Sequence, residues 1–262
     1  MAATPITGKR FEGKVALVTG ATNGIGQAIA VRLAAEGALV GVNQKPTGDP
    51  TETLRRIKEA GGQGFPVVAD MRNPQQVVEM VQEVAKRGGR FDYVVSNAAI
   101  NPFLAWDEAT LEDFNAICET NLRGTWVVTT EAAKQMKAFG NGGAIVCVSS
   151  ISAHVGAPYQ TAYCATKGGI SMWAKALGSV VGAHGIRVNA VEPGWIKTNM
   201  SAPMFDAAPE VWKYYIDRIA IHRPGEPEEM AGAIAFLLSD DASYVTCATL
   251  LTDAGFIVNA EL

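Results

Sequence analysis

Seven short apolar runs punctuate the chain, at residues 15–19, 39–43, 64–69, 93–96, 144–149, 187–192 and 249–252. Between them lie stretches with apolar residues at helical spacing: 24–36, 51–60, 74–86, 111–139, 161–184 and 228–238. Strands separated by helices run parallel, because the crossover between parallel strands needs a connection about as long as a helix. Parallel strands are buried on both faces, so they read as continuous apolar runs rather than as alternating ones. The expected fold is therefore α/β, a Rossmann-like doubly wound parallel sheet of about seven strands with helices on both faces. No linker and no repeat interrupts the order, so residues 1–262 read as one domain, with 1–12 as an N-terminal extension. Residues 194–227, with four prolines, several aromatics and a weak helical period, break the alternation as an insertion over the sheet. Loops of that length in a compact domain usually serve function.

Composition narrows the classes of partner. With 48% hydrophobic and 18% charged residues the chain can bury a large core, which excludes a disordered or fibrous protein. Its 26 acidic and 22 basic residues leave a net charge of -4, and no Lys/Arg cluster is present, so nucleic acid is not an expected partner. The cysteines Cys118, Cys147, Cys164 and Cys247 form no CxxC pair, which points to free thiols and to no metal site. Residues 1–13 lack the apolar stretch of a signal peptide, and no long apolar span follows. A soluble cytoplasmic protein without a membrane partner is expected.

The first strand ends in Thr19-Gly20-Ala21-Thr22-Asn23-Gly24-Ile25-Gly26, where it hands over to a helix. Glycines at such a junction allow a sharp turn and let a pyrophosphate approach main-chain N–H groups at the positive helix end. An isolated glycine triplet is often an ordinary turn, but its place on the first strand of a βαβ unit points to a dinucleotide. The GxxxGxG spacing resembles the cofactor turn of the short-chain dehydrogenase/reductase family. That resemblance continues in order through Asn97-Ala98-Ala99, Asn121, Ser149-Ser150, Tyr163-Cys164-Ala165-Thr166-Lys167 and Pro193-Gly194. It departs at Ala99, where the family usually has a second glycine, and at Cys247, near which a glycine is common.

Tyr163 and Lys167 stand four apart, so on a helix they share one face. A YxxxK pair alone is more often packing than chemistry. Here Ser150 closes a strand at the carboxyl edge of the sheet, where open α/β folds bind ligands. An unperturbed phenol near 10 is a poor base at neutral pH, and the Lys167 ammonium is expected to lower it. The resemblance implies a catalytic set of Asn121, Ser150, Tyr163 and Lys167. Tyr163 would exchange a proton with the substrate oxygen, Ser150 would orient that oxygen, Lys167 would also hold the nicotinamide ribose, and Asn121 would support a water linking Lys167 to solvent. Ser149 and Ser152 are rival serines. Ser150 is favoured by its 13-residue separation from Tyr163, typical of the family, and because strand alternation turns Ser149 to the other face. No GxSxG elbow surrounds any serine, which disfavours a Ser-His-Asp hydrolase.

The resemblance further implies cofactor contacts from Gly20, Thr22, Asn23, Gly24, Ile25 and Gly26 in the turn, and from Asn43, Gln44 and Lys45 after the second strand. Asp70 and Met71 follow the third strand, Asn97, Ala98 and Ala99 the fourth, and Pro193, Gly194, Ile196 and Thr198 the sixth, with Tyr163 and Lys167 completing the set. Gln44 stands where NAD-specific relatives carry an acidic residue, and Lys45 adds a positive charge, so NADP is favoured while NAD stays open. Substrate contacts are expected from Ser150, Ser152, His154, Tyr163 and Trp195, with His154 equally readable as a loop residue that only packs. Segments 148–154 and 250–259 resemble sugar 1-dehydrogenases of the glucose and rhamnose type, which implies oxidation of an anomeric hydroxyl. Reduction of a small ketone, aldehyde or oxo-acid is the alternative. It suits an apolar lid of Trp195, Met204, Phe205, Trp212, Tyr214 and Tyr215, residues that could equally pack on the sheet or on another subunit. A catalytically silent nucleotide-binding protein is the rival from another class. Apolar residues on several faces of the long helices, such as Trp126, Met172 and Trp173, point to a homo-oligomer, and the resemblance implies a tetramer.

Overall fold

The computed structural model describes residues 8–202 and 209–259. Its centre is one sheet of seven strands: β1 (Val15–Val18), β2 (Leu39–Gln44), β3 (Gln63–Val68), β4 (Tyr93–Ser96), β5 (Gly143–Val148), β6 (Ile186–Pro193) and β7 (Thr249–Thr252). They lie in the order β3-β2-β1-β4-β5-β6-β7, and every pairing is parallel. The order reverses at β1, whose neighbours are β2 on one side and β4 on the other. A crevice opens there at the carboxyl ends of the strands, because the connecting helices leave in opposite directions.

Strand alternation divides the core into two layers. Val15 and Leu17 of β1 point to one side, among Val81 and Val84 of α3 (Pro74–Gly88), Val128 and Met136 of α5 (Gly124–Phe139), and Ile170 of α6 (Thr161–Val181). Ala16 and Val18 point to the other, among Ile29 and Leu33 of α1 (Gly24–Ala35), Ile57 of α2 (Thr51–Glu59) and Ile234 of α8 (Pro227–Leu238). Local chemistry sets the helix ends. Asn73 caps α3 by accepting from the N–H groups of Gln75 and Gln76, with Pro74 in the first turn and Gly89 in the left-handed conformation that closes it. Glu226 and Glu229 form a reciprocal cap on α8.

Three sequence expectations change. The segment 111–139 is not one regular helix: α4 (Leu111–Ile117) passes into a π-helical turn, Cys118–Arg123, before α5 begins. Such a turn carries one extra residue per turn, which apolar spacing cannot reveal, and it often lies at functional sites. The insertion 194–227 contains a helix, α7 (Pro209–Arg218), and its ends are joined by a bridge between Ile196 and Gly225. The tail of the N-terminal extension belongs to the core, since Phe11 is fully buried and meets the Tyr93 ring edge-on at 5.4 Å. Met204 and Phe205 lie outside the described residues.

Gly88 marks how closely α3 lies on β1: a Cβ at this position would sit 2.5 Å from one Val15 methyl and 2.7 Å from the other. Gly88→Ala is expected to lower the unfolding free energy by about 1–3 kcal/mol, the usual cost of overpacking, read from the denaturant midpoint.

Candidate active site

Cross-ties among the strand ends build the glycine turn. Thr19 follows β1 and is fully buried, and its hydroxyl accepts from the N–H groups of Asn97 (2.9 Å) and Ala98 (3.0 Å). Asn97 Nδ2 donates back to the carbonyls of Thr19 (3.0 Å) and Gly20 (3.2 Å). From the other side Gly20 N–H donates to Asn43 Oδ1 at 3.0 Å, and Asn43 Nδ2 donates to the carbonyls of Gln44 and Ala69. Asn43 and Asn97 therefore use their amides to shape the cradle. Gly26 shows why this turn excludes side chains, since a Cβ there would lie 2.2 Å from Gly20 O. Gly20 and Gly24 adopt φ of 61° and 53°, which β-carbons disfavour.

A cavity of about 890 Å³ runs from this turn along the carboxyl ends of the strands. It is bordered by Gly20, Thr22, Asn23, Gly24, Ile25, Gly26, Asn43, Gln44, Lys45, Asp70, Met71, Asn97, Ala98, Ala99, Pro193, Gly194, Ile196 and Thr198, together with Ser150, Ser152, Tyr163, Lys167 and Trp195. Residues from six strand ends and two helices thus meet in one space. Ala99 keeps an ordinary negative φ, so the methyl that replaces the family's glycine is accommodated without strain. Cys247 does adopt a left-handed φ of 57°, which explains physically why glycine suits that region.

At one end of the cavity stand Ser150, Tyr163 and Lys167. Ser150 leads into a single 3₁₀ turn, Ile151–Ala153, whose Ser152 N–H donates to its hydroxyl at 3.1 Å. The Ser150 hydroxyl also hydrogen-bonds to the Tyr163 phenol, which holds it down, but burial dominates and pushes the phenol up to about 12. Lys167 Nζ lies 5.3 Å from the Tyr163 ring centroid and donates to Val148 O at 2.8 Å. Burial pushes its ammonium down to about 8. The expectation that Lys167 lowers the Tyr163 phenol is therefore corrected: both groups are desolvated, and the ammonium is directed at a strand carbonyl beneath the ring.

Two expected residues stand outside this space. Asn121, in the π-helical turn, is fully buried and does not border the cavity. Its carboxamide grips the backbone of Ile100, accepting from the N–H at 2.9 Å and donating to the carbonyl at 3.0 Å, and so fixes the loop after β4. His154, expected beside substrate, is also absent from the lining. Its Nε2 is hydrogen-bonded to the carboxylate of Glu192, which is buried and draws the imidazole away. Ser149 points behind the site, as alternation requires, with its hydroxyl 2.8 Å from Lys167 O.

Sequence reasoning missed part of the lining. Arg72 pairs with Asp70 at 3.2 Å, and with Lys45 nearby the adenosine-side wall carries two cations against one carboxylate. A basic residue directly after Met71 was the available signal. Gln160, Asn101 and Phe103 enter beside Tyr163, and Phe256 and Ile257 fold in from the far end of the chain, with no local signal to announce them. Trp195 packs on Tyr215 at 4.6 Å and on Trp212 at 5.7 Å, while Tyr214 and Tyr215 border the cavity and Trp212 backs them. The features fit a dinucleotide: a glycine turn that any Cβ would fill, an unpaired buried Gln44 Oε1 at the ribose position, and two cations beyond it.

The family model described as enoyl-(acyl carrier protein) reductase matches residues 20–257. Over 255 residues the chain is 40% identical to an L-rhamnose 1-dehydrogenase (NAD(P)(+)) of Sphingomonas sp. (strain SKA58), covering 97% of this chain and all of that one. It is 36% identical over 249 residues to a 3-oxoacyl-[acyl-carrier-protein] reductase of Thermotoga maritima, covering 95% of this chain and 100% of the relative. A solved short chain dehydrogenase from Burkholderia cenocepacia J2315, in complex with NADP, superposes with a TM-score of 0.87 at 32% identity, covering 95% of this chain and 99% of the other. The parallel seven-stranded sheet, the glycine turn and the full-length matches agree: this chain belongs to the short-chain dehydrogenase/reductase family of oxidoreductases.

Proposed function

We propose that the chain is an NAD(P)-dependent sugar 1-dehydrogenase that oxidises the anomeric hydroxyl of an aldose to a lactone. The observation that carries this reading is the convergence of Ser150, Tyr163 and Lys167 on the cavity that begins at the glycine turn, in a chain 40% identical along its length to an L-rhamnose 1-dehydrogenase. A nicotinamide, when bound, supplies the site for hydride. Tyr163 exchanges the hydroxyl proton, and its Ser150 partner hydrogen-bonds the same substrate oxygen, so charge developing there meets a donor already in place. Lys167, anchored on Val148 O, contributes a positive charge behind the phenol. Asn121 acts indirectly, by holding the loop at Ile100 that faces the site.

Lys45 and Arg72 favour NADP, because both are positively charged and no carboxylate stands at Gln44 to repel a 2′-phosphate, whereas the unpaired Gln44 oxygen suits the free ribose hydroxyls of NAD. Residues 1–262 serve as one unit, with 194–227 as its substrate loop and Trp195 and Ser152 on the substrate side. Exposed Trp126 and Met172 on α5 and α6 support a homo-oligomer, a tetramer by the family's habit, and four free cysteines suit the cytoplasm. None of the described helices is long and apolar enough to cross a membrane. A second reading, reduction of a ketone, draws on the apolar wall of Phe103, Ile151, Met200 and Phe256 and on the reductase relative.

The test is absorbance at the reduced-nicotinamide band with NADP or NAD against a panel of aldoses, alcohols and ketones. Turnover of an aldose such as L-rhamnose is expected. Turnover of ketones alone would replace the substrate, and tight cofactor binding without turnover would indicate a silent relative. Tyr163→Phe is expected to lower kcat by about 10²–10⁴-fold, the usual worth of a proton-transferring group, with cofactor affinity nearly unchanged.

Lys45→Ala is expected to weaken NADP binding more than NAD binding in fluorescence titrations, and equal losses would refute its placement. Lys167 gives a pH dependence. Its folded value is depressed to about 8 from the usual 10.5, so below pH 8 the buried charge lowers stability in full, and that penalty fades between pH 8 and 10.5. Over that window the stability of the wild type should rise relative to Lys167→Met, by roughly 1–3 kcal/mol in denaturant midpoints.

A further inference from the structure

Glu192 is the penultimate residue of β6 and is completely buried, yet it does not border the cavity. A buried carboxylate costs several kcal/mol unless its oxygens are satisfied. Both are. Oε1 lies 2.6 Å from Ser171 Oγ on α6, and Oε2 is hydrogen-bonded to His154 Nε2, immediately after the 3₁₀ turn that Ser150 begins. Ser171 Oγ in turn lies 2.8 Å from Ser149 Oγ, which is 2.8 Å from Lys167 O. The chain of contacts ends in solvent at His154, whose side chain is 50% exposed.

Three segments meet at the reacting end of the cavity. The turn after β5 presents Ser150, the first turns of α6 present Tyr163 and Lys167, and the end of β6 leads through Pro193 and Gly194 to Trp195. Glu192 belongs to the third and holds the other two, one with each carboxylate oxygen. We infer that Glu192, with His154 and Ser171 as its two arms, is a positioning brace that sets the distance between the Ser150 hydroxyl and the Tyr163 phenol. The inference rests on the reading of Ser150 and Tyr163 as the reacting pair. Catalysis of this kind depends steeply on placement, so loosening one arm lowers turnover while leaving the cofactor cradle, built at β1, β2 and β4, intact.

Removing Glu192 outright would leave a buried void, so the arms are the better probes. His154→Ala and Ser171→Ala are expected to lower kcat on the order of tenfold, with cofactor Kd within about twofold and the thermal midpoint within about 3 °C of wild type. Both variants should also speed hydrogen exchange in the peptide spanning 149–156. His154→Gln should restore kcat and protection, because its amide N–H can still donate to the carboxylate. Unchanged kcat and unchanged exchange in both Ala variants would overturn the brace. So would a loss of kcat that follows cofactor affinity and thermal midpoint together, which marks general destabilisation. Failure of the underlying reading appears differently, as a wild type with no turnover on any substrate, and the exchange measurement then decides the brace on its own.

Discussion

The hydroxyl of Thr19 is the contact on which the site depends most. It is buried at the point where the strand order reverses, and it accepts two N–H groups from the segment that follows β4. It thereby ties the start of the loop after β4 to the glycine turn after β1. Asn97 and Asn43 complete the tie from either side, so β1, β2, β3 and β4 end in one hydrogen-bonded unit. The side chains of Thr19, Asn43 and Asn97 are all hydrogen-bonded within that unit, which holds the cradle in shape before any ligand arrives, while Gln44 Oε1 is left without a partner.

The opposite end of the cavity is organised by desolvation. Burial disfavours charge on Tyr163 and on Lys167 alike, moving the phenol up and the ammonium down. The Ser150 hydrogen bond opposes the shift on Tyr163, so the placement of Ser150 matters electrostatically as well as sterically.

The doubly wound sheet was legible because the strands are apolar runs and the crossovers periodic ones, whereas the order of the strands and the register of β1 against β2 and β4 come from the structure. The cavity-lining turn residues were legible because they lie within a few positions of a strand end. What escaped was non-local or subtle. Helical spacing cannot show the extra residue of the π turn at Asn121. His154 lay close enough to Ser150 to suggest the substrate, but its orientation is set by Glu192, 38 positions away. Phe256 and Ile257 border the cavity through tertiary folding, and the phenol's upward shift comes from burial that no YxxxK spacing encodes.

The bridge between Ile196 and Gly225 has a wider consequence. Lys197 N–H donates to Gly225 O at 2.9 Å and Gly225 N–H to Trp195 O at 2.8 Å, while Ala220 N–H donates to Ala254 O at 3.0 Å and Asn259 Nδ2 to Arg218 O at 2.9 Å, so the described ends of the insertion are tied both to each other and to the last stretch of the chain. A change in the insertion is therefore felt at the far end of the sequence as well, where Phe256 and Ile257 border the same cavity as Tyr214 and Tyr215.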